Sequence, residues 1–169
     1  TYAGETDQNQ YALAMGYQAG MTNQNSYSIA MGTSAGIINQ GKYAVALGLN
    51  CGGNNQGNAS LAVGISAGNL NQGEYAVALG RYSGQTNQGD CSIALGHKAG
   101  MTDQSNNSIA MGTNAGKTDQ NSYSIALGTN AGMTDQNQYA LAIGTSAGNL
   151  NQGEYAVALG LNCGGNNQG

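Results

Sequence analysis

Large apolar and small residues alternate in short bursts along the chain. Tyr123-Ser124-Ile125-Ala126-Leu127 is one burst and Tyr43-Ala44-Val45-Ala46-Leu47 is another. Period two is the pattern of a strand, whose successive side chains point to opposite faces. An amphipathic helix would instead recur at three and four residues. Each burst is closed by a Gly, and a second Gly follows four residues later. That spacing is hostile to a helix interior and suited to sharp turns that need positive φ or close backbone approach. The polar stretch that follows, such as Met133-Thr134-Asp135, is predicted as a second, weaker strand. A Gln and another turn then lead into the next burst.

This unit recurs every 16 residues without insertion or deletion. Coils begin at Tyr11, Tyr27, Tyr43, Ala59, Tyr75, Cys91, Asn107, Tyr123, Tyr139 and Tyr155. A partial coil over 1–10 precedes nine full coils over 11–154, and a last coil covers 155–169. The fourth position is Ala and the sixth Gly in every full coil, while the tenth is Gly and the fourteenth Gln throughout. Two short strands and two turns per coil predict an all-β fold, a parallel β-solenoid or β-roll. One array occupies the chain, and a piece of a longer array is expected.

Energetics explain why the unit is repeated. Two or three aliphatic side chains per coil supply about 1.5–3 kcal/mol each on burial. Ordering sixteen residues costs about 1–2 kcal/mol apiece. A single coil cannot fold, so stability must come from stacking like on like.

The orientation of the first strand is the main open choice. With the larger residues inside, the core ladder is Leu13, Met15, Ile29, Met31, Val45, Leu47, Ile109, Met111, Ile125 and Leu127. The opposite face is then a flat row of small residues: Ala14, Ala30, Ala46, Ala62, Ala78, Ala94, Ala110, Ala126, Ala142 and Ala158. Such a face suits close packing against another copy, so it is the expected self-association surface. The reverse orientation would expose a long aliphatic stripe, which soluble monomers avoid, and would demand a partner too.

The polar rows are read as ladders. Gln24, Gln40, Gln56, Gln72, Gln88, Gln104, Gln120, Gln136, Gln152 and Gln168 are expected to stack as an amide ladder along the axis. Asp103, Asp119 and Asp135 replace Asn in three consecutive coils, where stacked carboxylates repel. The Gly-Gly-x-Gly-x-Asp pattern of calcium-binding repeats is absent, and no metal site is assigned. Tyr at the first position predicts a packing stack broken at Ala59, Cys91 and Asn107. Cys51 and Cys163 stand where Ala is usual, too many coils apart to bridge, and with Cys91 they are read as small buried substitutes. Asn58 and Asn106 head the two glycosylation sequons, which matter only in a eukaryotic secretory route.

Composition narrows the function classes. Charged residues are 7% of the chain, against about 25% in an ordinary soluble domain. With four Lys+Arg and a net charge of −4, the chain cannot neutralise many phosphates, so no nucleic-acid partner is expected. No apolar run approaches the ~18 residues of a membrane span. The one histidine, His97, lies in a turn beside Lys98 without an acidic neighbour. Neither a catalytic residue nor a cofactor is assigned, and the chain is not expected to be an enzyme.

The coil Asn107-Ser108-Ile109-Ala110-Met111-Gly112 resembles the head repeat of trimeric autotransporter adhesins, with similar motifs in phage and viral fibre proteins. The resemblance runs along the whole chain through its aliphatic-Ala-aliphatic-Gly core, although Asn at the first position survives only at Asn107. It implies a left-handed parallel β-roll that packs as a trimer and binds matrix proteins or cells. Two identical pairs of blocks, 43–57 with 155–169 and 66–80 with 146–160, indicate an array whose length varies. The expected function is therefore a non-enzymatic structural or adhesive fibre, extracellular or on a cell or virion surface. It would self-associate as a trimer or filament, side by side or end to end, with a host matrix or glycan as a further partner. The alternatives are an ice-binding solenoid, or a carbohydrate-binding module using the Tyr and Asn/Gln ladders.

Overall fold

The computed structural model describes residues 2–168, with side chains described as far as Asn166. Two parallel sheets run its length. One holds ten three-residue strands, from Leu13–Met15 to Val157–Leu159. The other holds eleven, from Thr6–Gln8 to Asn166–Gln168. Every pairing joins strands one coil apart, so Ala110 lies beside Ala126 and Gln104 beside Gln120. The chain is thus an all-β parallel solenoid with 16-residue coils and two short strands per turn. The second strand falls one residue later than expected, at Thr134–Gln136, and Met133 lies between the turn and the strand.

Both recurrent glycines are sterically required. Gly112 has φ +129, and a Cβ there would lie 2.6 Å from the carbonyl oxygen of Gly128 in the next coil. Gly116 has φ +48, and its Cβ would lie 2.4 Å from Gln120 Oε1. The first glycine lets coils approach, and the second leaves room for a side chain inside the coil.

That side chain overturns the expected core. Gln120 is fully buried, and its Nε2 donates to the carbonyl of Ile109 in the opposite sheet of the same coil at 2.8 Å. The interior is therefore about one glutamine side chain across. Aliphatic residues from the first sheet do not fit into such a gap, but Ala does. Ala30, Ala46, Ala62, Ala78, Ala94, Ala110, Ala126 and Ala142 are fully buried, and Ala158 nearly so. Ala14 is partly buried against the same core. These residues are the core, not a self-association face. They pack against a second small row, Ala19, Ala35, Cys51, Ala67, Ala99, Ala115, Ala131 and Ala147.

The residues expected as core point outward. Leu13, Met15 and Met111 are exposed. Ile29, Met31, Val45, Leu47, Ile109, Ile125 and Leu127 are half-buried by their neighbours in the ladder, not by an interior. The reverse orientation is the real one, and a long aliphatic stripe lies on the surface.

Candidate interaction surface

The outer face of the ten-stranded sheet is built from two parallel aliphatic rows. In the middle coils these are Val77, Ile93 and Ile109 beside Leu79, Leu95 and Met111, each paired in register with its neighbour one coil on. Leu79 and Met111 are 40% and 39% exposed, and the terminal Val157 and Leu159 are each 57% exposed. In-register pairing makes the face flat, since like side chains stack at the strand spacing of about 4.8 Å. Ten strands make it about 48 Å long. Charges are confined to its margins.

Tyr lines one margin. Tyr11, Tyr27 and Tyr43 stack with ring centroids 5.0 and 5.3 Å apart, and Tyr123, Tyr139 and Tyr155 with 5.2 and 5.0 Å. Between the two stacks stand Ala59, Tyr75, Cys91 and Asn107. All of these residues have left-handed backbones, Tyr123 at φ 61. A left-handed L-residue costs about 1–2 kcal/mol, and a stacked aromatic pair returns about 0.5–1.5 kcal/mol. The stacks thus offset much of the strain of the turn they occupy. The ring hydroxyl of Tyr155 is held above its usual titration range, first by the charge of Glu154.

Comparison of the chain with protein families, curated proteins and solved structures finds no match.

The predicted amide row is present inside the solenoid as a cross-brace. Gln24, Gln40, Gln56, Gln72, Gln88, Gln104, Gln120, Gln136 and Gln152 are buried, and each donates to a carbonyl of the facing strand. The side chain of Gln168 lies outside the described residues. Bonds along the axis are secondary, as in Gln104 to Gln120 at 3.2 Å and Gln120 to Gln136 at 3.2 Å. Several Oε1 atoms, including those of Gln24 and Gln104, accept no hydrogen bond and lie against the backbone of the preceding glycine. Being buried, this row offers nothing to a ligand.

The Asn before each Gln, expected to stack with it in one amide ladder, forms a separate ladder outside. Asn23 donates to Asn39, Asn39 to Asn55, Asn55 to Asn71 and Asn71 to Asn87 at 2.9–3.0 Å. All have left-handed backbones, which Asn and Asp tolerate best after Gly. The Asn/Asp at this position in every coil was the available signal. The ladder ends as Asn87 donates to Asp103 at 2.7 Å, a charge-assisted bond. Beyond it Asp119 has carboxylates on both sides. Its carboxyl titrates above the usual range, through desolvation first and then the charges of Asp135 and Asp103.

A carboxyl raised in the folded state adds stability in acid and loses it as pH rises through its folded pKa. Asp119→Asn is therefore expected to stabilise the fold at neutral pH by about 0.2–1 kcal/mol, the size of a cross-strand like-charge pair. Its advantage should shrink between about pH 7 and about pH 3 as the parent carboxyl takes up its proton. Urea melts of both proteins at the two pH values check this.

Among the described residues no group of three or more His, Cys, Asp or Glu is arranged to hold a metal. Cys51 is buried, and burial pushes its thiol up to about 12, so it is inert at neutral pH. Cys91 and Cys163 are exposed, contrary to the expectation of burial. Cys91 occupies the outward Tyr row, and Cys163 lies in the last coil. Asn58 and Asn106 are exposed, yet both amides are engaged. Asn58 Nδ2 donates to Glu74 at 2.9 Å, and Asn106 Oδ1 accepts from the Asp90 backbone at 2.8 Å.

Proposed function

We propose that the chain is a non-enzymatic structural or adhesive fibre element, extracellular or on a cell or virion surface. It works by associating with copies of itself through the aliphatic face of the ten-stranded sheet. The observation that carries this reading is the inversion of the core. The small residues expected to mediate association fill the interior, and the large ones form a continuous outer stripe. Exposed apolar patches beyond a few hundred Å² are rare on soluble monomers and mark contact surfaces. No pocket with convergent catalytic groups competes with it among the described residues. Two concavities, one beside Asn87 and Asp103 and one beside Asn121 and Glu154, are open surface grooves.

Light scattering on the purified chain tests the reading, and the expected result is an oligomer. Leu79→Lys with Met111→Lys places two charges on the face without touching the interior. The double variant is expected to be monomeric, with its stability changed by no more than about 1 kcal/mol. A monodisperse wild-type monomer at working concentration would sink the proposal.

A second reading, glycan binding, has one favourable feature: the exposed Tyr123, Tyr139 and Tyr155 stack could receive sugar rings. A glycan array without signal removes it. The ice-binding alternative gains no such feature. Its Thr residues lie in two separate rows, Thr102, Thr118 and Thr134 in one sheet and Thr113, Thr129 and Thr145 in the turns after the other.

A further inference from the structure

The tyrosines that open the coils are of two kinds. Tyr11, Tyr27 and Tyr43 form one unbroken stack and Tyr123, Tyr139 and Tyr155 another, with neighbouring ring planes 5–19° apart. Tyr75 stands in the same row between Ala59 and Cys91, neither of which carries a ring. All of them are exposed, from Tyr139 at 43% to Tyr11 at 75%, and Tyr75 is at 62%. The chain has 10 Tyr and no Phe or Trp, so every ring in the stacks is a phenol.

Stacking sets the distances between reactive atoms. The rings of Tyr139 and Tyr155 are 5.0 Å apart at 5°, so like atoms of the two rings are separated by about the same length. The ortho carbons of neighbours therefore face each other across one coil step. Solvent lies on the outer side of the rings, so rotation about the Cα–Cβ and Cβ–Cγ bonds can close that gap. Tyr75 has no such neighbour. Tyr43 lies two coils away and Tyr123 three, about 10 and about 14 Å at the strand spacing.

We propose that each stack is a site of oxidative coupling, where hydrogen peroxide acting through a peroxidase joins tyrosines of adjacent coils as dityrosine. Each phenol gives up one electron and one proton and becomes a phenoxyl radical. Ring contact lets an electron hop between neighbours, so a radical formed at Tyr11 or Tyr155 spreads through its stack. A second oxidation in the same stack puts radicals on adjacent rings. These form one carbon–carbon bond between ortho carbons. Each ortho hydrogen then moves to the oxygen of its own ring, which restores both phenols. The peroxide takes up the two electrons and two protons and leaves as two waters, so the chain loses two hydrogens per bond.

The bond ties one coil to the next. It closes a loop of a single repeat and removes open conformations from the unfolded chain, which favours the folded solenoid. The inference does not rest on self-association, because the bond forms within one chain.

The test treats the full chain with peroxidase and limiting peroxide, after alkylation of the exposed Cys91 and Cys163 so that neither thiol quenches the radicals. Dityrosine fluorescence is expected from a species that still runs as a monomer on a denaturing gel. Cleavage before aspartate separates Tyr123, in 119–134, from Tyr139 and Tyr155, in 135–169. A bond from Tyr123 to Tyr139 joins these peptides, and mass spectrometry should find them linked. Tyr27→Phe with Tyr139→Phe keeps the rings stacked but removes the middle phenol of each stack. This double variant is expected to lose most of the fluorescence and the linked peptide, and Tyr75→Phe to lose neither. Four results overturn the proposal: no dityrosine, covalent dimers in place of the intrachain bond, a linked peptide that survives the double variant, or a loss with Tyr75→Phe as large as with the double variant.

Discussion

Gly112→Ala is expected to cost at least about 3 kcal/mol of stability, the largest loss from adding a single methyl group. Two effects combine. The backbone at φ +129 lies in a region that an L side chain rarely enters. The new Cβ also meets the Gly128 carbonyl oxygen at 2.6 Å and its carbon at 2.7 Å, both backbone atoms of the next coil. A flexible side chain could move aside, but a strand edge can do so only by breaking its ladder. Gly112 also donates its N–H to the Leu95 carbonyl of the coil before, so the strain reaches both neighbours. In a quasi-one-dimensional fold the defect separates the array into two weaker halves. Denaturant unfolding should show a lower midpoint and a broadened or split transition. Thr113→Ala, one residue on and exposed, is the control and should change stability by less than about 0.5 kcal/mol. A loss below about 1 kcal/mol for Gly112→Ala would mean that the coils are not packed as closely as described.

Gln120→Glu is expected to lose about 3–5 kcal/mol at neutral pH although it changes no volume. Gln120 Nε2 donates to the Ile109 and Ser124 carbonyls and to Gln136 Oε1. A carboxylate there replaces the donor with an acceptor, facing carbonyl oxygens in a site without solvent. Burial and these acceptors raise the pKa of the introduced carboxyl above its unfolded value. Its penalty is therefore small in acid and grows as pH rises, the sign opposite to that of a paired carboxylate. Urea melts at about pH 4 and about pH 7 should show the variant recovering much of its loss at the lower value. Gln120→Met keeps the length and drops the polarity, leaving only the stranded carbonyls, and should cost about 1–3 kcal/mol. If the glutamate variant were as stable as wild type at both pH values, the interior would be wet.

Both expectations concern residues that recur in every coil, and their presence was plain in the sequence. The sixth and tenth glycines announced turns, and the bursts of alternation announced strands. The recurrence of glutamine at the fourteenth position announced a ladder. Its depth and its main partner were not legible, because an amide ladder has the same sequence signature on the surface and inside. The Tyr row was legible for the same reason that its gaps were. Stacking needs identical neighbours, and Ala59, Cys91 and Asn107 are visible interruptions.

Alternation at period two states that Ile125 and Leu127 share one face and Ala126 the other. It does not state which face is inside. The usual preference for large apolar residues in the core decided the expectation, and it failed because the coil is too short. The gap between sheets is set by what spans it, here a single glutamine between Gln120 and the Ile109 carbonyl. Only alanine, serine, cysteine and glycine fit beside it.

The chain by itself therefore determined the repeat, two short strands and two turns in each coil, the parallel stacking and the need for glycine at two places per coil. Each follows from local backbone sterics or from a period that any arrangement must respect. Tertiary structure alone decided which side of each strand is covered, and so which residues form the outer surface. That choice depends on the distance between two sheets, a quantity no stretch of sequence carries until both sheets are in place.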